Sequence, residues 1–548
     1  MLFMISFMNV ALGQNRDTQW LFGNHCWIDF TQDTPMDAGL GHFFGNEGTV
    51  SVADRFGNLL FSTNGAQIFD RNGQVMPNGN DLAGHVSSTQ SALIVPQPGS
   101  TDDQLFYVFT VAAEAGKYDE EHTGLEYVIV DMSLNTGLGD VSQETIELVP
   151  NTGEKLHATW HQNNRDVWVV AHSMNSTDYH AFLITCNGLE DHVISPTGRS
   201  HNSTTYGEGC IGALKLSPNG EHIACVYNGA GINGQSLESH LEIGVFNSLT
   251  GEVTITQSIS KTNEDSSSGY GVEFSPNSSK IYWCYNSSES NLFQYEIGVG
   301  DIEDSEYAYV GITEYPHPFS ALQLGPDGKI YIARAFNGTQ LSIIANPNEE
   351  GIGSNYIDEG IELSQACRFG LPNQWMFPYP TPDHTVETTV VSLCEESSVA
   401  LKAPAHLESP LLWSTGQTGR SISISEINEY WVTTTECTHD TVFFQIEPQE
   451  FCLCELFMPD AFTPDGDGLN EAYGTTSWCE FPDFSLQIFD RDGHIIFSSK
   501  DKNQLWDGSI NGWPCPTGIY NWKVTWINPY LDAEEKVISE FGHVNLVR

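Results

Sequence analysis

The chain has 548 residues, with 21 Lys and Arg against 71 Asp and Glu, so its formal net charge is −50. A surface this negative repels phosphate backbones and anionic lipid, which argues against nucleic-acid and membrane-surface binding. With 40% hydrophobic and 17% charged residues, the chain is predicted to fold. Its length predicts two to four domains rather than a single core.

The N-terminus is typical of a secretory signal peptide. An apolar run, MLFMISFMNVALG, precedes Gln14, and Ala11 and Gly13 supply the small side chains of a signal-peptidase site. The run lacks an initial positive charge, and no segment approaches the roughly 20 apolar residues of a membrane helix. We therefore predict a signal peptide at residues 1–13, export and no transmembrane span. Export permits disulfides among the 12 cysteines.

One pattern recurs between residues 18 and 380: an apolar strand, a polar turn and a second apolar strand. The turns contain Asn, Asp, Gly and Pro, which is typical of β-hairpins because these residues tolerate or preset the turn dihedrals. Six copies are visible, at residues 49–63, 91–110, 157–172, 213–227, 271–285 and 321–334. Their spacing, roughly 40–70 residues, matches the four-stranded blades of a β-propeller.

A seventh blade can be assembled from the two ends of this region, residues 18–30 and 367–377. We therefore predict an all-β fold that begins with a seven-bladed propeller over residues 18–380, with six or eight blades as alternatives. If both ends enter one closing blade, Cys26 and Cys367 are candidates for a disulfide, although two separate buried thiols are the favoured interpretation.

Two sequence resemblances support the propeller. The turns SPNG and GPDG resemble the blade motif of Trp-Asp-repeat and surface-layer-type propellers. The segments WLFGNHCWIDF and EGTVSVADRFGNLLFSTNG resemble the N-terminal region of large secreted Bacteroidota proteins with type IX sorting domains. The first resemblance implies the fold only, because propellers host both binding and catalysis.

A small β-sandwich is predicted at residues 390–448, after the Pro- and Thr-containing segment 379–389. Apolar and polar residues alternate there, as in SISIS at 421–425. The segment resembles immunoglobulin-like modules of secreted bacterial proteins, in which a WSTG turn precedes a YWV strand. Cys394 and Cys437 fall in its early and late strands, so we predict an intersheet disulfide between them.

The final segment, residues 452–548, is predicted to form another compact sandwich. Its motifs PDAFTPDGDGLNE, LQIFDRDGHIIF, WDG, PTGIYNWKV and GHVNLVR stand in order, and together they resemble the gliding-motility-associated C-terminal domain. That domain is the type B sorting signal of the type IX secretion system. The resemblance implies two partners, the secretion machinery and an outer-membrane anchoring protein. Four cysteines of this segment have open pairings: Cys452, Cys454, Cys479 and Cys515.

The loop TPDGDGLNE in this segment is also a candidate cation site. Asp465, Asp467 and Asn470 would present three oxygen ligands to one structural calcium ion, with Glu471 nearby. No EF-hand register fits the loop, and a glycine-rich turn with Asx hydrogen bonds is the favoured alternative. Asp460 and Asp465 stand where members of the sorting-domain family usually have Asn.

The sequence shows no catalytic motif. His157 and His161 are four residues apart, but on a predicted strand that spacing is about 13 Å, too far for one metal ion. We interpret His161, Asp166, Trp168 and His172 as a hydrogen-bond network that stabilises a blade. Paired acids cannot be assigned, because 71 carboxylates bring some together by chance.

These features predict an exported protein of the outer cell surface or the medium. The propeller is interpreted as a binding or adhesion module for an extracellular glycan or protein. Two alternatives stay open, namely a glycan-active hydrolase or lyase with its site in the propeller channel, and a structural component of the gliding or envelope machinery. Two facing carboxylates about 5–10 Å apart in the channel would favour the enzyme.

Overall fold

The structure, a computed structural model, describes most of the chain. The described residues are 15–32, 34–99, 103–113, 123–200, 209–228, 238–262, 268–286, 291–309, 317–375, 388–393, 398–405, 407, 411–434, 441–448, 456–477, 479–481, 483–527 and 537–548. The predicted signal peptide lies outside them, and so do Cys394, Cys437, Cys452 and Cys454. None of the described helices is long and apolar enough to cross a membrane.

The chain divides near residue 385 into two units, and the described part of the first contains seven antiparallel sheets, numbered here as blades 1 to 7. Blades 1 and 2 have three strands each: β1 (Gln19–Phe22), β2 (Asn24–Asp29) and β3 (Met36–Phe44), then β4 (Val50–Ala53), β5 (Leu59–Thr63) and β6 (Ile68–Asp70). Blade 3 has five: β7 (Ala92–Pro96), β8 (Leu105–Val111), β9 (Leu125–Asp131), β10 (Asp140–Val141) and β11 (Ile146–Val149).

Blades 4 to 7 have four strands each, and in each blade the spatial order follows the sequence. The strands of blades 4 and 5 are β12 (Thr152–Trp160), β13 (Val167–Ser173), β14 (Asp178–Thr185), β15 (Gly188–Pro196), β16 (Leu214–Leu216), β17 (His222–Tyr227), β18 (Glu238–Phe246) and β19 (Val253–Thr262). Those of blades 6 and 7 are β20 (Ser268–Phe274), β21 (Lys280–Asn286), β22 (Asn291–Glu296), β23 (Tyr307–Tyr309), β24 (Phe319–Leu324), β25 (Ile330–Arg334), β26 (Gln340–Ile344) and β27 (Tyr356–Glu362). Short 3-10 turns occur at Asn135–Gly137, Ile302–Ser305 and Gly351–Ser354.

The six hairpins predicted from the sequence are the first two strands of blades 2 to 7. Their turns follow the predicted chemistry, as blade 5 shows. The Ser217 hydroxyl accepts a hydrogen bond from His222 N (2.9 Å), and Gly220 N donates to Ser217 O (2.8 Å) while Gly220 adopts a φ of +70°. Blade 6 repeats the arrangement with Ser278 at a φ of +60°. Local turn chemistry therefore fixes these hairpins.

The seven blades form a closed ring. Each blade shares a buried apolar cluster or strand contacts with the next blade along the chain. Blade 7 in turn packs against blade 1, where the Trp20 and Phe30 rings contact the Tyr331 ring at centroid distances of 5.5 and 5.4 Å. The prediction of an all-β chain that begins with a seven-bladed propeller is confirmed.

The two ends of the ring meet, but not in the way that the sequence suggested. Blade 1 is built from residues 19–44 alone, whereas residues 366–375, here called the closure segment, form no strand of it. The closure segment is held by backbone hydrogen bonds, from Phe369 N to Asn46 O (3.0 Å) and from Asn373 N to Thr49 O (2.7 Å). It therefore joins the end of blade 7 to the entry of blade 2.

The disulfide candidate Cys26–Cys367 is corrected by the structure. Both residues lie in the apolar cluster between blades 1 and 7, but both are free, buried thiols. Each sulfur has its own backbone partner: Cys26 Sγ donates to Gln365 O (3.5 Å), and Cys367 Sγ donates to Arg334 O (2.9 Å). Burial raises the pKa of Cys367 to about 12, so it is a protonated and unreactive thiol.

In the second unit, the described strands up to residue 448 form two sheets around one core. A four-stranded sheet contains β28 (Thr388–Leu393), β30 (Leu411–Trp413), β32 (Glu429–Thr434) and β33 (Thr441–Pro448), and a two-stranded sheet contains β29 (Val399–Lys402) and β31 (Ser421–Ile424). Trp413 and Phe444 of the larger sheet share the core with Leu401 and Ile422 of the smaller one. The alternation at 421–425 thus points one face of β31 inward, as predicted.

The last part of the chain has its own core. Its main sheet has the order β34-β40-β39-β35-β36, with β34 (Ala461–Phe462), β35 (Ser485–Phe489), β36 (Ile495–Ser499), β39 (Gly518–Ile527) and β40 (Val537–Leu546), beside a hairpin of β37 (Ser509–Ile510) and β38 (Trp513–Pro514). Trp506, from the WDG motif, is 1% exposed and contacts the rings of Phe462 and Tyr520. Cys479 is disulfide-bonded and Cys515 is a free thiol, so these two do not pair with each other.

We predict that Trp506→Ala destabilises this last domain by about 3–5 kcal/mol, because removal of the buried indole loses its transfer free energy and creates a cavity. In the full-length protein, the backbone amide hydrogens of strands β35 and β39 should then exchange about a hundredfold faster or more. Trp513→Ala is the matched control, since Trp513 is 77% exposed. Equal effects of the two substitutions would contradict the assignment of Trp506 as the core residue.

Candidate functional site

The centre of the propeller ring is filled by polar side chains. Asn373 of the closure segment donates through Nδ2 to Ala92 O of blade 3 (3.2 Å) and to Leu156 O of blade 4 (2.8 Å). Gln90 donates to Asn373 Oδ1 (3.1 Å) and to Leu214 O of blade 5 (2.9 Å). Two side chains can reach three blades only near the axis, so this pair lies where a channel was expected.

A second polar group occupies the rest of the axis. Gln374 donates to Ser51 O of blade 2 (2.8 Å), and its own carbonyl accepts from Gln323 Nε2 of blade 7 (2.9 Å). Lys215 Nζ lies 2.7 Å from Gln323 Oε1 and 3.1 Å from Glu273 Oε2. Glu273 also accepts one backbone N–H on each carboxylate oxygen, so this buried charge is paired with Lys215 and hydrogen-bonded on both oxygens.

A cavity of about 20 Å³ lies beside these side chains. Asp17 and Glu273 both line it, but its volume suits about one water molecule and excludes a sugar ring. His157 lines it too, and burial, together with the Lys215 charge, lowers the pKa of this histidine well below its usual value. His157 is therefore neutral, and its Nδ1 accepts from Leu216 N (3.2 Å).

The two histidines of the HATWH segment have different surroundings in the fold. His157 lies in the axis, whereas His161 lies on a surface turn with Nε2 3.2 Å from Leu249 O. Asp166 binds Asn163 and Arg165, Trp168 donates to Ser248 O (2.8 Å), and the His172 ring is 2.7 Å from Ser173 O. His161 N also donates to Asp166 O (2.8 Å), Asn163 N donates to His161 Nδ1 (3.1 Å), and the His161 and Trp168 rings lie 6.0 Å apart. His161, Asp166 and Trp168 therefore form one connected group that stabilises blade 4, as predicted, whereas His172 lies at the other end of β13.

A groove at the edge of blades 4 and 5 has a volume of about 670 Å³. Three turns line it, at residues 159–164, 218–222 and 245–248. The turns are tied together, because Gln162 N and Trp168 Nε1 both donate to Ser248 O (3.2 and 2.8 Å). The propeller thus has a closed axis and an open, rigid groove on its turn-bearing face.

In the last domain, the candidate cation loop brings three carboxylates together. One oxygen each of Asp465, Asp467 and Glu471 lie within 4.8 Å of one another. Asp465 accepts from Asp467 N (3.1 Å), Asp467 from Leu469 N (2.7 Å) and Glu471 from Gly468 N (2.8 Å). Asn470 has a φ of +55°, and its backbone carbonyl accepts from Thr463 N (2.9 Å). These are the bonds of an Asx-type turn, and calcium binding stays a prediction.

A second cluster of this kind, missed from the sequence, occurs in the β35–β36 turn. Asp490, Asp492 and His494 have ligand atoms within 4.8 Å of one another, and the D-x-D-x-H spacing could have indicated it. The pKa of Asp490 lies below its usual value, chiefly because the backbone N–H of His494 donates to it. This hydrogen bond is again a turn feature, so the cluster alone does not indicate a bound metal.

The family comparison assigns the last domain. Residues 456–538 match the CHU_C type IX secretion signal domain, so the resemblance of the final segment to that sorting-domain family is confirmed. The comparison with curated proteins gives no match.

Solved structures resemble the chain only distantly. A putative 6-phosphogluconolactonase from Bacteroides fragilis has 10% identity and a TM-score of 0.41, over 65% of this chain and 98% of that one. The Dos1 propeller has 10% identity and a TM-score of 0.34, over 63% and 79%. A periplasmic gluconolactonase from Pseudomonas aeruginosa has 9% identity and a TM-score of 0.32, over 63% and 97%. Such scores carry no argument about activity.

Fold and sorting signal together define the class of protein. The chain is an exported all-β protein that combines a β-propeller with a C-terminal secretion signal. Its CHU_C domain, residues 456–538, indicates export by the type IX secretion system, and thus interaction with that machinery, to the cell surface or the medium.

We predict that Asn373→Leu destabilises the propeller by about 3 kcal/mol, because Gln90 and two backbone carbonyls lose their partners in a dry environment. In calorimetry of the full-length chain, the propeller should give the largest transition, because unfolding enthalpy scales with chain length. The melting temperature of that transition should fall in the variant. Asn346→Leu is the control, because Asn346 is exposed. An unchanged transition in Asn373→Leu would mean that the axial contacts do not hold the ring.

The calcium hypothesis makes a separate prediction. Calcium at about 100 times its dissociation constant should stabilise the last domain by about 2.7 kcal/mol and raise its melting temperature. The double variant Asp465→Ala, Asp467→Ala should abolish this rise, whereas Asp490→Ala, Asp492→Ala should keep it. If calcium leaves the melting temperature of the native protein unchanged, the loop is a plain turn.

Proposed function

We propose that this protein is a surface-displayed or released binding protein. In this proposal the propeller, residues 18–380, is the binding module, residues 390–448 form an immunoglobulin-like domain, and residues 452–548 direct export and engage an outer-membrane anchoring partner. The closed propeller axis carries the proposal, because it moves any ligand contact from the channel to the surface of the ring.

The filled axis speaks against the channel enzyme. Glycosidases use two carboxylates that flank the scissile bond, and these need room for the sugar between them. Here Glu273 is bound by Lys215 and by backbone N–H groups, and the adjacent cavity holds about one water molecule. A catalytic pair in this position would be inaccessible to a glycan. A binding role needs only a preformed exposed groove, which the propeller has.

Rigid turns support the binding role further. A preorganised surface loses little conformational entropy when a ligand binds, which favours affinity. The turns that line the groove are closed by their own hydrogen bonds, such as Gly220 N to Ser217 O (2.8 Å) and Asn164 N to His161 O (2.8 Å). The propeller therefore offers a fixed surface for recognition once the sorting domain has brought it outside the cell.

Deletion of residues 452–548 tests the export part of the proposal. We expect the truncated protein to accumulate in the periplasm with a folded propeller, because the described apolar clusters of the blades are built from residues 20–375. Cell fractionation measures its location, and thermal unfolding measures its fold.

A fusion of residues 452–548 to a periplasmic reporter is the reciprocal test, and it should send the reporter to the cell surface or the medium. Surface delivery of the truncated protein at the normal level would refute the assignment of this segment as the export signal. Retention of the reporter would show that the signal needs more of the chain.

A further inference from the structure

The groove at the edge of blades 4 and 5 has the size of a ligand site. Its volume of about 670 Å³ falls within the range of roughly 300–1,000 Å³ that is usual for small-molecule pockets. Its walls belong to different blades, but Gln162 N donates to Ser248 O (3.2 Å) and His161 Nε2 lies 3.2 Å from Leu249 O. The two blades therefore hold the groove in one shape.

The groove is lined by groups that both donate and accept hydrogen bonds. Gln162 and Asn164 are exposed, and their side-chain amides make no hydrogen bond within the described part of the chain. Asn247 uses Oδ1 for the N–H groups of its own turn, which leaves its two amide N–H donors. Burial lowers the pKa of His222, and since the neutral ring donates to the backbone of Gly244, it adds one acceptor to the groove.

The groove carries almost no charge, although the protein as a whole is strongly acidic. No Lys or Arg belongs to the described lining, and Glu221 is its single carboxylate. Glu221 Oε2 already accepts from Asn219 Nδ2 (2.9 Å). An anionic ligand would find no cation here and would meet the repulsion of a chain with a net charge of −50. A cationic ligand would find only one partly satisfied carboxylate.

A peptide strand is also a poor fit. Peptides that bind by strand addition need unpaired backbone groups on a sheet edge. At this groove the turn N–H groups of His161, Gln162, Gly220 and Asn247 already donate within the protein. The groups that can still form hydrogen bonds with a ligand are the side-chain amides and the imidazole, which lie beside the half-buried indole of Trp160. Hydroxyl groups, each a donor and an acceptor, match this set, and the indole offers an apolar surface for a sugar ring.

We propose that this groove binds a segment of a neutral glycan, with Gln162 and Asn164 hydrogen-bonded to sugar hydroxyls and Trp160 packed against the ring. The inference rests on the proposed binding role of the propeller and assigns it a ligand class and a place. It needs no bond to form or break, so the site binds the glycan without altering it.

The test uses the full-length protein and isothermal titration with cello-, manno-, xylo- and malto-oligosaccharides, with oligogalacturonate as an acidic comparison. The variant is Gln162→Ala, Asn164→Gly. Glycine suits position 164 because Asn164 has a φ of +55°, so the amide is removed without backbone strain. The matched control is Gln74→Ala, Asn151→Gly, since both residues are exposed and Asn151 also has a φ of +55°.

We expect at least one neutral oligosaccharide to bind the native protein and the control equally, and the variant to bind it about tenfold or more weakly at an unchanged melting temperature. Binding that the variant leaves intact, or binding of oligogalacturonate alone, would overturn the assignment of the groove while leaving a binding role for the propeller. Absence of binding to every neutral probe would overturn the inference too, and the export experiments would still decide the secretory role separately.

Discussion

The propeller depends on the way in which the closure segment, residues 366–375, enters the ring. A ring of blades whose ends are merely adjacent could open at the junction of its first and last sheets. Here Asn373 and Gln374 reach the inner strands of blades 2, 3 and 4, and Gln323 of blade 7 returns a hydrogen bond to the same segment. The last residues of the propeller are thereby bound to its first blades. Buried hydrogen bonds and apolar packing together hold the ring closed.

This closure constrains function. Polar groups in a dry interior are costly unless they are hydrogen-bonded, so the axial side chains stabilise one another through their mutual hydrogen bonds, although Gln374 Oε1 has no partner among the described residues. The Lys215–Glu273 pair belongs to that network, and a carboxylate held in this way is unavailable for chemistry on a substrate. The same side chains that close the ring thus leave little space at its centre, and the proposed binding role is assigned to the surface turns for this reason.

The last domain follows a different physical rule. Its stability comes from an aromatic core around Trp506, and its surface loops are Asx-type turns in which Asp465, Asp467, Asp490 and Asp507 accept backbone N–H groups. Such turns keep many carboxylates at fixed positions on a small domain. Short, self-contained turns and a separate core allow this signal to fold by its own contacts, whatever the protein carries before it.

Much of this architecture was determined by local sequence. Turn residues such as Gly220 and Gly328 fix hairpins within a few residues, so six pairs of blade strands could be predicted, and the motif series of residues 452–548 indicated the sorting domain. The filled axis and the position of His157 within it could not be predicted in this way. These features depend on which distant residues face each other, as when Asn373 meets Ala92, a pairing that leaves no trace in local periodicity. The groove of blades 4 and 5 was decided by tertiary structure for the same reason, because the blade 4 turn at residues 159–164 meets the blade 5 turns at 218–222 and 245–248 only when the two blades pack together.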